Sequence, residues 1–462
     1  MSQPIYLTAD IRRIEQATGN VTPPLMERAG AAAAELAEKI VAGKDILVLA
    51  GPGNNGGDAR IAAARLQERF FRVTVAGSPG EIPPGRTWGL VIDGLFGIGL
   101  ARNIAGEYAT LVEYANRQRC PVLALDVPSG IQSDTGQVLG CAVRATHTLT
   151  FIALKPGLLT LAGPDCSGEV SVAELGLDAP TLQRPSAWVA GPELFEGVLK
   201  RRPRDFHKGA AGSLGILGGA RGMTGAALLA GRAALKLGAG RIYVGLLEPV
   251  AVDAAAPELM LRHADDVLGL DLDAIVVGPG LGRTDHAATL VGAVLAAEMP
   301  CVLDADALNL MADDKDLRLA CERRSGDTLL TPHPAEAGRL LGSSTEQVQA
   351  DRLAAARALS KRYNAHAVLK GNGSLVVAHD GHLFMNRSGN PGMASAGMGD
   401  VLSGILGALL AQRYAGEAAL TLGVHLHGCA ADELAASGAG PVGLAAGELI
   451  EPARRIWNRW LK

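Results

Sequence analysis

"KDILVLAGPGNNGGDARIAAARLQERF", Lys44 to Phe70, decides the fold. Ile46 to Ala50 is a short apolar run, and a glycine loop follows at once. Ile61, Ala64, Arg65 and Leu66 then fall in an alanine-rich helical pattern, so the segment reads strand, loop, helix. The same order recurs at "WGLVIDGLFGIGL" (Trp88 to Leu100) and "VLALDVPSG" (Val122 to Gly130), where a buried strand ends in an aspartate. Strands that are apolar throughout and alternate with helices predict a parallel sheet covered on both faces.

Between about Asp178 and Arg204 this pattern lapses into a stretch with four prolines and a closing basic cluster, which predicts a boundary with room for a short helix. Beyond it, Gly212 to Leu247 restarts the order as strand, glycine loop, helix and strand, with Thr224 expected to cap the helix. "AIVVGPGLG" (Ala274 to Gly282), "CVLDADALN" (Cys301 to Asn309), "TLLTPHPAE" (Thr328 to Glu336) and "HAVLKGNGSLVVA" (His366 to Ala378) supply further strands ending in polar residues. Two α/β domains are therefore expected, residues 1–195 and 200–462. Ligands of open α/β sheets bind outside the carboxyl ends of the strands, so two sites are expected as well.

The chain's 462 residues suit about two or three domains. Apolar residues reach 48%, enough for sizeable cores, so disorder is not expected, and 59 glycines against 4% aromatics favour α/β elements with tight loops over a β-sandwich. A net charge of −4 without a basic block argues against nucleic acid and membrane surfaces. The six cysteines are scattered without a C-x-x-C pair, which predicts reduced thiols in a cytoplasmic protein. The first residues lack an apolar signal core, and no apolar stretch is long enough to span a bilayer.

"GPGNNGGD" (Gly51 to Asp58) sits where a dinucleotide loop would, yet asparagines fill its middle and an acid closes it. An ordinary glycine turn capped by Asp58 is one reading. Four glycines and two asparagines in eight residues exceed what a turn needs, and asparagine amides both donate and accept. Asp93 and Asp126 lie at strand ends, either as turn caps or, with Asp58, as carboxylates around one crevice that hold a hard cation or transfer a proton. In the second half, "LKGNGS" (Leu369 to Ser374) joins a strand-end lysine to two glycines and a hydroxyl. "NPGMASAGMGD" (Asn390 to Asp400) leads into an apolar helix. A β-turn explains part of the first; a phosphate cradle explains both. His333 and Glu336 stand three apart across a helix start, while His425 and His427 share no helical face.

These motifs resemble the NAD(P)H-hydrate epimerases over most of residues 1–190 and the NAD(P)H-hydrate dehydratases over residues 200–462. The resemblance implies a Rossmann-like three-layer domain and a ribokinase-like three-layer domain. It implies interconversion of the R and S forms of hydrated NADH and NADPH (NADHX and NADPHX), and ADP-dependent dehydration of the S form, yielding AMP and phosphate. Carried over to this chain, Asn54, Asn55, Gly56, Gly57 and Asp58, with Gly97, Ile98, Gly99, Leu100, Ala101, Arg102 and Asn103, would contact the epimerase substrate. Asp126 would face the ring as acid/base, and Asn55, Asp93 and Ser129 would hold potassium. Ala59 stands where the family usually has glycine. In the second domain Lys370, Gly371, Asn372, Gly373, Ser374 and Gly399 would bind the nucleotide, and Ala226, Gly280, Gly282, His333 and Asp400 the hydrate. Asp400 would be the catalytic base, magnesium would accompany ADP, and Glu336 occupies the place of a metal-organising acid. A homo-oligomer is expected. The alternative is a ribokinase-like small-molecule kinase fused to a non-catalytic binding domain.

Overall fold

The computed structural model describes residues 2–19, 21–199 and 201–461 and divides into two compact units, Gln3–Trp188 and Val189–Lys462 with Met1–Ser2. In the first, strands β1 (Asp45–Ala50), β2 (Arg72–Ala76), β3 (Leu90–Gly94), β4 (Val122–Leu125), β5 (His147–Phe151) and β6 (Glu169–Ala173) form an all-parallel sheet in the order β2-β1-β3-β4-β5-β6. Successive side chains of a strand point to opposite faces, and β1 shows the result. Ile46, Val48 and Ala50 enter one core with Ala33 of helix α1 (Leu25–Ile40) and Ala62 of helix α2 (Asn54–Glu68). Leu47 and Leu49 enter another with Leu111 and Val112. Both faces are covered, as the continuous apolar strands require.

Helix α2 begins at Asn54, so the asparagines and Asp58 lie in its first turns rather than in a loop, and Asp58 does not cap it. Glycines permit the close approach: a Cβ on Gly51 would lie 1.9 Å from the Leu95 carbonyl oxygen, and a Cβ on Gly56 1.9 Å from the Gly51 carbonyl oxygen.

In the second unit nine strands follow the order β15-β14-β13-β12-β11-β10-β7-β8-β9. They are β7 (Ser213–Gly218), β8 (Arg241–Leu246), β9 (Met260–His263), β10 (Ala274–Val277), β11 (Cys301–Leu303), β12 (Thr328–Leu330), β13 (His366–Leu369), β14 (Leu375–Val377) and β15 (Leu383–Met385). From β13 to β9 all pairings are parallel, whereas β13, β14 and β15 pair antiparallel through hairpins. The Lys370–Ser374 loop is the first of these hairpin connections, so the turn reading and the strand-end reading both apply to it. Helices α3 (Thr224–Lys236) and α4 (Met398–Ala411) pack backbone to backbone, because a Cβ on Gly404 would sit 2.1 Å from the Ala230 carbonyl oxygen. Thr224 is the first residue of α3 and not its cap; Met223 holds that place without a side-chain bond. No helix among the described residues is long and apolar enough to cross a membrane.

Candidate functional sites

Each unit gathers its polar residues at the carboxyl ends of its parallel strands. In the first, Asp126 follows β4 with a φ of 65°, a conformation rarely adopted by a residue with a side chain and concentrated at functional sites. Its carboxylate accepts from the Ile98 amide at 3.0 Å and from Lys155 Nζ at 2.6 Å. Lys155 is completely buried and also donates to Thr150 Oγ1 at 2.8 Å and the Phe151 carbonyl at 2.7 Å. A buried ammonium with all three protons placed is a fixed part of the site.

Asp93, at the end of β3, is buried and accepts from the Ser129 amide (2.8 Å), the Ser129 hydroxyl (2.7 Å) and the Leu95 amide (3.2 Å). Burial pushes its carboxyl up to about 6 against those bonds. Asn55 is buried, yet neither Oδ1 nor Nδ2 has a partner. Such orphans are rare and point to an absent ligand or ion. Gly97 lies between the two groups: a Cβ there would stand 2.8 Å from Asp126 Oδ2 and 3.4 Å from Asn55 Cγ. Burial, then Asp126 and Glu15, push Asp58 up to about 7, and burial and Asp126 raise Glu15. Asn55, Asp58, Gly97, Ile98 and Asp126 are thus brought together, with Asp93 and Ser129 paired beneath. Asn54, Gly99, Ala101, Arg102 and Asn103 are exposed, with Gly56 buried and Gly57 and Leu100 partly so.

In the second unit Asp304, after β11, takes the lysine. Lys370 Nζ donates to its Oδ1 at 3.1 Å and the Ser403 hydroxyl to its Oδ2 at 2.7 Å. Burial opposes the Asp304 charge, but Lys370, Thr331 and Ser403 outweigh it and hold the carboxyl below its ordinary range. Ala305 beside it has a φ of 50°. Gly399 adjoins this pair, since a Cβ there would lie 3.4 Å from Lys370 Nζ. Asp400, third residue of α4, stands among the positive amide ends of that helix. Burial, followed by Asp304 and Asp306, nevertheless pushes it up to about 6.

Asp306 accepts from the Gly282 amide at 2.8 Å, and Gly280 abuts Ala226, whose Cβ is 3.1 Å from where a Gly280 Cβ would be. His333 is the N-cap of Pro334–Leu341: its Nδ1 accepts the Ala335 amide at 3.1 Å and the Glu336 amide at 3.4 Å, and Glu336 Oε2 accepts the His333 amide at 2.8 Å. That capping box explains the three-residue spacing. Glu336 Oε2 also lies 4.0 Å from Lys370 Nζ. Burial, with Lys370 and Arg339, lowers His333. Gly371 and Asn372 are exposed at the tip of the hairpin, with Gly373 and Ser374 partly covered.

Lys155, Glu15 and Asp304 were not among the expected site residues. Lys155 had one visible signal, a lone cation in the apolar "FIALKPG". The fold also assembles Asp380 and His382, on the turn between β14 and β15, with Glu417 from the start of the helix Gly416–Ala436, one potential metal-ligating atom from each within 4.8 Å of the others, a cluster no sequence spacing announces.

Residues 214–453 match the NAD(P)H-hydrate dehydratase family model, and residues 23–85 and 78–157 match that of the YjeF-related protein N-terminus. The bifunctional NAD(P)H-hydrate repair enzyme of Escherichia coli is 37% identical over 98% of this chain and 94% of its own length, and that of Coxiella burnetii 38% over 98% and 99%. Among solved structures, the ADP/ATP-dependent NAD(P)H-hydrate dehydratase of Bacillus subtilis, co-crystallised with ATP and Mg2+, superposes with a TM-score of 0.52 at 29% identity, covering 58% of this chain and 97% of that one. A ribokinase-like protein of Enterococcus faecalis gives 0.50 at 26% identity, covering 58% and 95%. Relatives named for two activities span both halves, which disfavours a kinase carrying a passive module. The chain belongs to the family of bifunctional NAD(P)H-hydrate repair enzymes.

Proposed function

We propose that the chain repairs hydrated nicotinamide nucleotides, its first unit interconverting the R and S forms of NADHX and NADPHX and its second dehydrating the S form with ADP. The observation that carries this reading is Asp400, held at about 6 on a helix N-terminus while a different aspartate, Asp304, takes the lysine. A carboxylate poised near neutrality and not committed to a cation is suited to act as a base.

In the dehydratase step Asp400 takes the proton of the C6 hydroxyl as that oxygen attacks the β-phosphorus of ADP. The bond from that phosphorus to the bridging oxygen breaks, leaving AMP and a phosphorylated hydrate. The C6–O bond then breaks, driven by the ring nitrogen lone pair, phosphate departs, and loss of a C5 proton restores the double bond. Lys370, Gly371, Asn372, Gly373, Ser374 and Gly399 hold the nucleotide, with Ala226, Gly280, Gly282 and His333 against the hydrate. The amides of Ala396 to Gly399 face the group in transit. Magnesium bound with the nucleotide would neutralise phosphate charge.

In the epimerase unit the ring nitrogen expels the C6 oxygen, and water returns to the opposite face. Asp126 passes a proton from the Lys155 ammonium to the departing oxygen and returns it from the water that adds, so none is gained or lost. Asn55, Asp93 and Ser129 offer oxygen donors of the hard type that suit potassium, and the orphaned Asn55 Oδ1 fits such an ion. Six free thiols suit a reducing cytoplasm. The test is to incubate the chain with NADHX, with and without ADP, and follow NADH absorbance. ADP-dependent recovery is expected; a stable phosphoester without recovery would establish a kinase instead.

A further inference from the structure

Arg352 opens the helix Arg352–Tyr363 beneath the Lys370–Ser374 loop and is only 1% exposed. Its Nη2 lies within donating distance of three carbonyls, Leu369 and Lys370 at 3.3 Å and Gly373 at 3.5 Å. Its Nη1 donates to Gln349 Oε1 at 2.8 Å, and its Nε is buried without a partner. Among the described residues no carboxylate forms an ion pair with it, and burial lowers it to about 10. A buried cation without a countercharge is costly, and such violations concentrate where a ligand completes them.

Peptide planarity turns this contact into a device. In a trans peptide the N–H points opposite to the C=O. With the Lys370 and Gly373 carbonyls drawn toward Arg352, the Gly371 and Ser374 amides face the other way, toward the exposed tip of the loop. Gly371, at φ 139°, presses the backbone onto the guanidinium; a Cβ there would lie 3.0 Å from both Nη atoms. Amides turned to one side, backed by a positive charge, make an anion cradle.

We infer that Arg352 is a positioning residue for the nucleotide phosphates, turning the loop amides outward and drawing its countercharge from the phosphate across the loop. This rests on the nucleotide reading of Lys370–Ser374. Titration calorimetry of the full chain with ADP, AMP and adenosine tests it, together with KM values for ADP and hydrate. Arg352→Met should weaken ADP about tenfold, AMP less and adenosine under about twofold, raising the ADP KM while kcat and the hydrate KM hold. Arg352→Lys, which keeps the charge without the fork, should recover part of the loss, and it decides the matter alone if the methionine variant does not fold. ADP and adenosine weakened equally, or ADP not weakened, would overturn the inference. A wild-type chain that binds no ADP would overturn the nucleotide reading itself.

Discussion

Both halves of the chain place a lysine–aspartate pair at the ends of parallel strands with a non-glycine residue of positive φ, Asp126 itself in the first and Ala305 next to Asp304 in the second, and the two pairs differ in which aspartate is held. In the first unit Lys155 grips Asp126, the carboxylate proposed to meet the substrate, at 2.6 Å. In the second, Lys370 grips Asp304 at 3.1 Å and forms no ion pair with Asp400, which burial and neighbouring carboxylates raise to about 6 against the pull of the lysine charge. Moving water from one face of a ring to the other returns every proton, so a carboxylate fixed beside an ammonium serves. Phosphoryl transfer to a hydroxyl needs a group that removes a proton, and an unpaired carboxylate of raised affinity does so. Where the lysine's countercharge lies separates the two chemistries.

The largest test of this contrast is Asp400→Asn, expected to slow dehydration about a thousandfold, on the scale of a lost general base, while calorimetry finds ADP affinity little changed. Loss of ADP binding would place Asp400 with the phosphates. Lys155→Met should lower epimerisation about a hundredfold and, by leaving Asp126 without its partner, cost about 3 kcal/mol in denaturant unfolding, with dehydration of pure S hydrate unaffected. An epimerase of normal rate in that variant would dissolve the comparison.

The pH dependence sharpens it further. Dehydration should rise about tenfold per unit up to about pH 6 and level off above, as Asp400 ionises. Because its folded pKa lies above the unfolded value, Asp400 contributes stability below the unfolded value that is lost as pH rises through about 6. Asp400→Asn should therefore raise Tm at pH 8 and leave it nearly unchanged at pH 4. The smallest effect is Ala59→Gly, which restores the family's usual residue inside α2. It should cost about 1 kcal/mol of stability through helix propensity and leave epimerisation intact.

Much of this was legible in the sequence because backbone chemistry wrote it there. Apolar runs of five or six residues ending in Asp93 or Asp126 fixed the parallel sheets, and glycines marked the turns that bring backbone against backbone. Lys155 and Asp304 were harder to see, since a buried charge is recognisable only by its partner, and Asp126 lies 29 residues from Lys155, Asp304 66 from Lys370. Arg352 was invisible for the same reason: its partners are carbonyl oxygens, which every sequence possesses. Asn54 to Asp58 read as a loop because glycine and asparagine disfavour helix, whereas packing against α1 and β3 draws them into α2.

The most direct measurement is NADH recovery from a mixed R and S pool of NADHX with ADP in the Asp126→Asn variant. The S fraction should return at the wild-type rate and the R fraction should then stall at the spontaneous rate of epimerisation. Complete recovery at the wild-type rate would contradict two separate sites with Asp126 acting in the first.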